Sequence, residues 1–254
     1  MKPVKVILSS EAWRIIDLQY YNPYMNMAID EAILDSVSKG KSDKTIRFYK
    51  WNPGAVSLGI AQDSNIVKGN VNIVRRPTGG NAVYHHEKDF TYSVIAPKNL
   101  FNNSLREAYK QICNCIINAI NSFSLEAKLV GKNDILIENR KVCGNAIDFS
   151  KKDIFLQHGS IFFYDCKDLW LKLLDIEEEK LKITFLSNYI KDEEKFYNSL
   201  KKSFIGFSKD YYFGELTQEE KQLAETLAKE KYSNVNWHEG LKKGTACAAD
   251  IRSD

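Results

Sequence analysis

The chain has 254 residues, 44% of them hydrophobic and 27% charged, with 36 basic residues against 33 acidic ones. That much apolar surface excludes intrinsic disorder as the main state, and 13 Gly and 5 Pro exclude collagenous or low-complexity character. A net charge of +3 spread along the chain leaves no nucleic-acid footprint. No apolar stretch approaches the roughly 18 residues of a membrane span, and the first residues lack a secretory signal core. The expectation is therefore a cytoplasmic protein with no nucleic-acid or membrane partner. Five cysteines, an odd count in a chain of this size, do not make a disulfide framework.

Residues 23–37 predict the first helix, because Met25, Ile29, Ala32, Ile33 and Val37 fall near one face. Residues 45–49 and 55–60 predict two short strands around the turn Trp51-Asn52-Pro53-Gly54. Residues 73–76 predict another strand. The alternation in Phe90-Thr91-Tyr92-Ser93-Val94 predicts a half-buried one. Ser104 and Glu107 have capping-box spacing. They precede a long helix whose apolar face carries Leu105, Tyr109, Ile112, Ile116, Ala119 and Phe123. Residues 134–137 and 140–143 predict a tight hairpin through Glu138-Asn139, and residues 154–164 a long strand. The last third reads as helical, with a second capping box at Thr217 and Glu220. Strands in the middle with helices around them predict an α+β fold whose central sheet is mixed and mainly antiparallel. At about 150 residues per domain, length alone allows one or two. With no internal linker, residues 1–240 are expected to form one domain and residues 241–254 a disordered tail.

Three segments can carry chemistry. In Arg75-Arg76-Pro77-Thr78-Gly79-Gly80-Asn81-Ala82-Val83-Tyr84-His85-His86, the paired glycines permit backbone turns that a Cβ forbids. Exposed amides there make an anion nest beside arginines that clamp phosphate or carboxylate. In Arg140-Lys141-Val142-Cys143-Gly144-Asn145-Ala146, Lys141 beside Gly144 can project a compact positive charge. Nearby Asn133-Asp134 offers a carboxylate suited to Mg²⁺. In Gln157-His158-Gly159-Ser160, a histidine and a hydroxyl stand two apart on a strand. The competing readings are a plain glycine turn, a solvated hairpin lysine and a satisfied strand histidine.

Taken together, and with Asn26-Met27-Ala28-Ile29-Asp30-Glu31-Ala32, Arg47-Phe48-Tyr49 and Thr91-Tyr92-Ser93-Val94, these segments resemble the lipoate–protein ligase and octanoyltransferase family. The resemblance covers residues 13–164, with Glu230-Lys231-Tyr232-Ser233 and Trp237 also similar. It implies a biotin/lipoate protein ligase-like catalytic domain. Lys141 would be the catalytic lysine, facing the acyl carbonyl and phosphate. Arg75, Gly79, Gly80, Asn81, Ala82, Val83, Tyr84, His85, Asn133, Gly144, Ala146, His158 and Ser160 would bind substrate or adenylate, and Asp134 would contact Mg²⁺. The implied reaction is lipoate–protein ligation: ATP activates lipoate to lipoyl-AMP, and a lysine of a lipoyl-carrier domain takes the acyl group. That domain would be an E2 subunit of a 2-oxoacid dehydrogenase or a glycine-cleavage H protein.

The chain departs from that pattern at Asn81, where the ligases have a third glycine, and at His86, where they have Asp. The Pro77-Thr78-Gly79-Gly80 and Phe90-Thr91-Tyr92-Ser93 segments are similar to the thiol-dependent octanoyltransferases. In the branch most similar here, the nucleophilic cysteine precedes the position of Asp134. Here Leu129-Val130-Gly131-Lys132-Asn133 has none. The alternative is thus an octanoyl or lipoyl transferase moving an acyl group between carriers without ATP, with Cys143 as its nucleophile. Strict alternation would put Cys143 on the same side as Lys141, where the ammonium would lower the thiol pKa. A non-catalytic binding module is the third reading. Many such ligases carry a further C-terminal domain of roughly a hundred residues, the size of a small domain. If a ligase, the chain is expected to need a separate accessory subunit.

Overall fold

The computed structural model describes residues 12–238; the expected tail at 241–254 lies outside them. Among the described residues eleven strands run in chain order: β1 Trp13–Tyr21, β2 Thr45–Trp51, β3 Ala55–Leu58, β4 Asn72–Arg75, β5 Val83–His85, β6 Phe90–Pro97, β7 Ala127–Val130, β8 Asp134–Ile137, β9 Arg140–Asp148, β10 Ile154–Ile161 and β11 Tyr211–Phe213. The helices are α1 Pro23–Ser38, α2 Leu105–Asn121, α3 Lys167–Leu173, α4 Glu193–Ser208, α5 Gln218–Leu227 and α6 Val235–His238. Eight strands form one sheet in the order β11-β1-β2-β6-β10-β9-β8-β7, and β4-β3-β5 form a second, smaller one. In the large sheet β11, β1 and β2 pair in parallel. Every other neighbour is antiparallel. The sheet is mixed and mostly antiparallel, as the sequence predicts.

Period-two alternation sorts each strand between two faces. Along β10, Phe155 and Ile161 enter a core with Ile112, Ile116 and Phe204. That core is the face covered by α2 and α4. Leu156 points the other way, against Met27, Ile33 and Tyr49 of a second core under α1 and α5. His158 and Ser160 share the Leu156 side, and both line a cavity. The small sheet stands across this side of the large one. Residues on both, Ser57 and His85 from one and Lys141 and Ser160 from the other, line the space between.

The helix ends follow their caps. Asn22 caps α1 by accepting from Met25 N at 2.9 Å, with Pro23 as the first helical residue. Thr217 and Glu220 close a reciprocal capping box on α5, and Ser104 accepts from Glu107 N. The sequence reading has no strand at β1. Its alternation is broken where the register with β2 shifts between Ile16 and Gln19.

Candidate active site

A buried polar network forms the floor of the site. The Arg47 guanidinium on β2 donates to Asp30 Oδ1 on α1 at 2.9 Å, and both side chains are fully buried. Tyr49 and Ser93 donate to the same carboxylate at 3.0 and 2.9 Å. Burial works against the Asp30 charge, but His158, Arg47 and Ser93 outweigh it and hold the carboxyl below its usual range. His158 reaches Asp30 Oδ2 through Nδ1 at 3.3 Å and Thr78 Oγ1 through Nε2 at 2.7 Å. The loop after β4 is thereby tied to β10 and to α1.

Above that floor lies a cavity of about 840 Å³, within the ordinary range for a small-molecule site. Its lining is apolar at Leu136, Phe162, Trp170, Ile176, Leu181 and Ile183, and polar or charged at Arg76, His85, His158, Ser160, Asp134 and Lys141. Lys141 Nζ pairs with Asp134 Oδ1 at 2.7 Å, both side chains about a third exposed at 30% and 38%. The backbone of Lys141 is pinned on both sides: its N–H donates to Lys182 O, and its carbonyl accepts from Thr184 N, each at 2.8 Å. Gly144 leaves the space that the lysine fills, since a Cβ there would stand 2.8 Å from Lys141 Cε and 2.9 Å from Nζ.

The glycine loop is shaped by its own backbone. Gly80 adopts φ +94°, a conformation that favours glycine. Arg76 Nη2 donates to Gly79 O at 2.7 Å and to Asn81 O at 2.8 Å, while Nη1 reaches Ser57 O and Oγ, each at 3.1 Å. Burial lowers the Arg76 pKa to about 10, which leaves it charged at neutral pH. His85 is buried between two hydroxyls. Its Nε2 lies 2.7 Å from Ser57 Oγ and its Nδ1 lies 3.0 Å from Ser160 Oγ. The ring stacks on Trp51 with centroids 4.0 Å apart. Burial, then the charges of Arg76 and His158, push its pKa well below the usual histidine value. The imidazole is therefore neutral.

Of the residues picked from sequence, Lys141, Gly79, Gly80, Asn81, Ala82, Val83, His85, Asn133, Asp134, Gly144, Ala146, His158 and Ser160 all line this cavity. Three do not. Arg75 points away and donates to Gly59 O at 2.7 Å, Gln62 O at 2.6 Å and Trp237 O at 3.0 Å, so it ties α6 to the small sheet. Consecutive strand residues face opposite ways, and Arg76 is the arginine turned to the cavity. Tyr84 packs with Val56, Leu58 and Phe162 in a third core. Cys143 is fully buried beside Ile135, Ile161 and Cys113 in the core under α2.

The expectation that Cys143 shares a face with Lys141 is thus corrected, and the cause is a β-bulge. Leu136 pairs with Lys141 and Ile135 with Cys143, so Val142 is an extra residue in β9. Val142 and Cys143 both enter the core, and Lys141 is left on the cavity side. Burial, then Cys113, push the Cys143 thiol well above its usual value. A buried, protonated thiol is not a nucleophile. Among the described residues no cysteine lines the cavity. Asp134, expected to contact Mg²⁺, spends Oδ1 on Lys141. No cluster of three or more His, Cys, Asp and Glu able to hold a metal occurs among the described residues. Sequence reading singled out both arginines but chose Arg75 over Arg76 for the site, and it missed Ser57 and Trp51 as cavity residues. No described helix is long and apolar enough to cross a membrane.

Residues 22–193 match the family described as the lipoyl protein ligase A/B catalytic domain. An octanoyltransferase LipM of Brevibacillus brevis is 31% identical over 90% of this chain and 99% of its own length. One of Anoxybacillus flavithermus is 32% identical over 91% and 99%. A lipoate-protein ligase A bound with ATP superposes with a TM-score of 0.80 at 23% identity, covering 91% of this chain and 99% of its own. The bi-partite lipoate protein ligase of Thermoplasma acidophilum also gives 0.80 at 23%, covering 93% and 99%. At that identity the two ligases speak for the fold. The high-coverage relatives are octanoyltransferases, and they overturn the expected ATP-dependent lipoate ligation. The expected accessory subunit rested on that reading and goes with it.

Proposed function

The chain belongs to the lipoyl protein ligase A/B catalytic-domain family and is an acyl-transferring enzyme; on that premise we propose that it moves an octanoyl group from a carrier-protein thioester to a lysine of a lipoyl-carrier domain, without ATP. The observation that carries this reading is the relationship to octanoyltransferases across nine-tenths of the chain and nearly all of theirs. The shape of the cavity supports it. Its apolar lining, with Phe162 and Trp170, suits an alkyl chain, and Lys141 offers a cation to a carbonyl oxygen.

Lys141 is the catalytic residue of this reading. When a nucleophile adds to a thioester, the carbonyl oxygen gains negative charge. An ammonium already in place there lowers the barrier without reorganising. Asp134 pairs with the ammonium and fixes its direction. His85, set between the Ser57 and Ser160 hydroxyls, and His158, set between the Thr78 hydroxyl and the Asp30 carboxylate, wall the pocket. Octanoyl-loaded acyl carrier protein, a lipoyl domain and the purified chain, with ATP removed by apyrase, test the reading. Octanoylated lipoyl domain on a mobility-shift gel is expected. An unmodified domain refutes it.

A further inference from the structure

We infer that residues 174–184, a strap strung from the small sheet to β9, read the length of the acyl chain and pass that reading to Lys141. A chain long enough to pack against Leu181 and Ile183 holds the strap, and the strap holds the lysine. The inference rests on the acyl-transfer reading above and adds a chain-length determinant to it.

The strap is tied by backbone bonds at both ends. Where it leaves α3, Leu174 bridges to Val67. Lys68 N donates to Leu173 O and Asp175 N to Ile66 O, each at 2.7 Å. At the far end Ile183 bridges to Lys141 in parallel. Lys141 N donates to Lys182 O and Thr184 N to Lys141 O, each at 2.8 Å. This second tie stands in for part of the sheet. β10 pairs with β9 only as far as Cys143, and Phe162, next in the chain, donates to Val142 O at 2.9 Å. At Lys141 the strap takes the place of β10. The main chain of the catalytic lysine therefore has Leu136 of β8 on one side and the strap on the other.

The inner side of the strap is apolar and only half covered. Ile176, Leu181 and Ile183 line the cavity and pack against the core that holds Phe162 and Trp170, yet each stays partly exposed. Glu177, Glu178 and Glu179 are exposed. Their ion pairs, Lys180 with Glu177 at 2.8 Å and Lys167 with Glu178 at 2.6 Å, lie in solvent and contribute little. Between its ties the strap is thus held mainly by its apolar side, and an alkyl chain in the cavity completes the burial of that side. Ile183 is the ladder neighbour of Lys141, one strand spacing of about 4.8 Å away. A chain whose carbonyl faces the ammonium has Ile183 within reach. Contacts made along the chain then orient the lysine at the carbonyl, and a truncated substrate loses turnover as well as affinity.

The test uses the full-length chain, carrier protein loaded with butanoyl, hexanoyl or octanoyl groups, and a lipoyl domain as acceptor. Burying a methylene is worth about four-fold, so the methylenes that separate butanoyl from octanoyl give about 250-fold in kcat/KM. At least about ten-fold of that should appear in kcat. With Leu181→Ala and Ile183→Ala combined, octanoyl kcat should fall about ten-fold, to near the wild-type butanoyl value, while butanoyl kcat moves by less than about two-fold. Leu181→Met combined with Ile183→Val should restore the octanoyl rate. A loss equal for every chain would make the strap a structural support and overturn the inference. So would a variant with the wild-type profile, or a chain-length effect confined to KM. A wild-type enzyme that transfers no chain from the carrier thioester refutes the transferase reading, and the strap's role with it. Octanoyl transfer with a kcat independent of chain length refutes the strap's role alone.

Discussion

Gly144→Ala is a small change that reaches the catalytic lysine through packing alone. The new methyl would sit 2.8 Å from Lys141 Cε and 2.9 Å from Nζ, against a comfortable carbon contact of about 3.5–4.0 Å. Something must yield by about 1 Å, and the flexible end of the lysine yields most easily. The strand should accept alanine, so stability should move by no more than about 0.5 kcal/mol. Displacing the ammonium by about 1 Å should cost about 100-fold in rate, or about 2.7 kcal/mol of transition-state stabilisation. The assay is kcat/KM for octanoyl transfer, with a urea melt on the same sample. A double-mutant cycle isolates the cause. In a Lys141→Ala background the methyl has no ammonium to displace, and Gly144→Ala should cost nothing further. Wild-type kcat/KM in the single variant refutes the placement of Lys141, and so does a full additional loss in the double variant.

Gly159→Ala should instead attack the fold, because its methyl would meet Asn145 Oδ1 at 2.1 Å and the Tyr92 ring at 2.6 Å. A loss of about 1–3 kcal/mol in chemical unfolding is expected for overpacking, and an unchanged midpoint would contradict it. Cys143→Ala should keep its transfer rate, since the thiol is buried away from the cavity. Inactivity in a variant that still folds would reinstate the thiol as nucleophile. Asp30→Asn breaks the buried pair with Arg47 and should cost about 3–5 kcal/mol in urea unfolding. Because folding holds the Asp30 carboxyl below its ordinary value, its contribution is present above about pH 4, the ordinary aspartate value. It is lost as pH falls through the lower folded value. The variant should lack that acid-limb loss, and an identical limb in both proteins would refute the assignment.

Most of the cavity was legible because its residues come in short local runs. Gly79 to Ala82 form one loop that runs into β5 at Val83, and His158 and Ser160 share a face by simple alternation. What was not legible depends on partners far away in sequence. Arg75 and Arg76 are chemically alike, and only the pairing of β4 with β3 decides that Arg76 turns inward. The bulge that separates Lys141 from Cys143 is defined against β8, so no pattern within β9 reveals it. Ser57 sits in an apolar strand with nothing local to mark it, and its meaning comes from His85, 28 residues on. The chemistry was misread for a related reason. The segment from Gly131 to Asp134 resembles the ligases, whereas the high-coverage relatives are octanoyltransferases.

The central claim is acyl transfer from carrier to carrier at Lys141, and intact-mass spectrometry of a lipoyl domain tests it most directly. Two reactions run side by side: octanoyl-loaded carrier without ATP, and free octanoate or lipoate with ATP and Mg²⁺. The account predicts one octanoyl group added to the domain in the first reaction, its loss in Lys141→Ala, and no product in the second. A domain modified only when ATP and the free acid are supplied would contradict it.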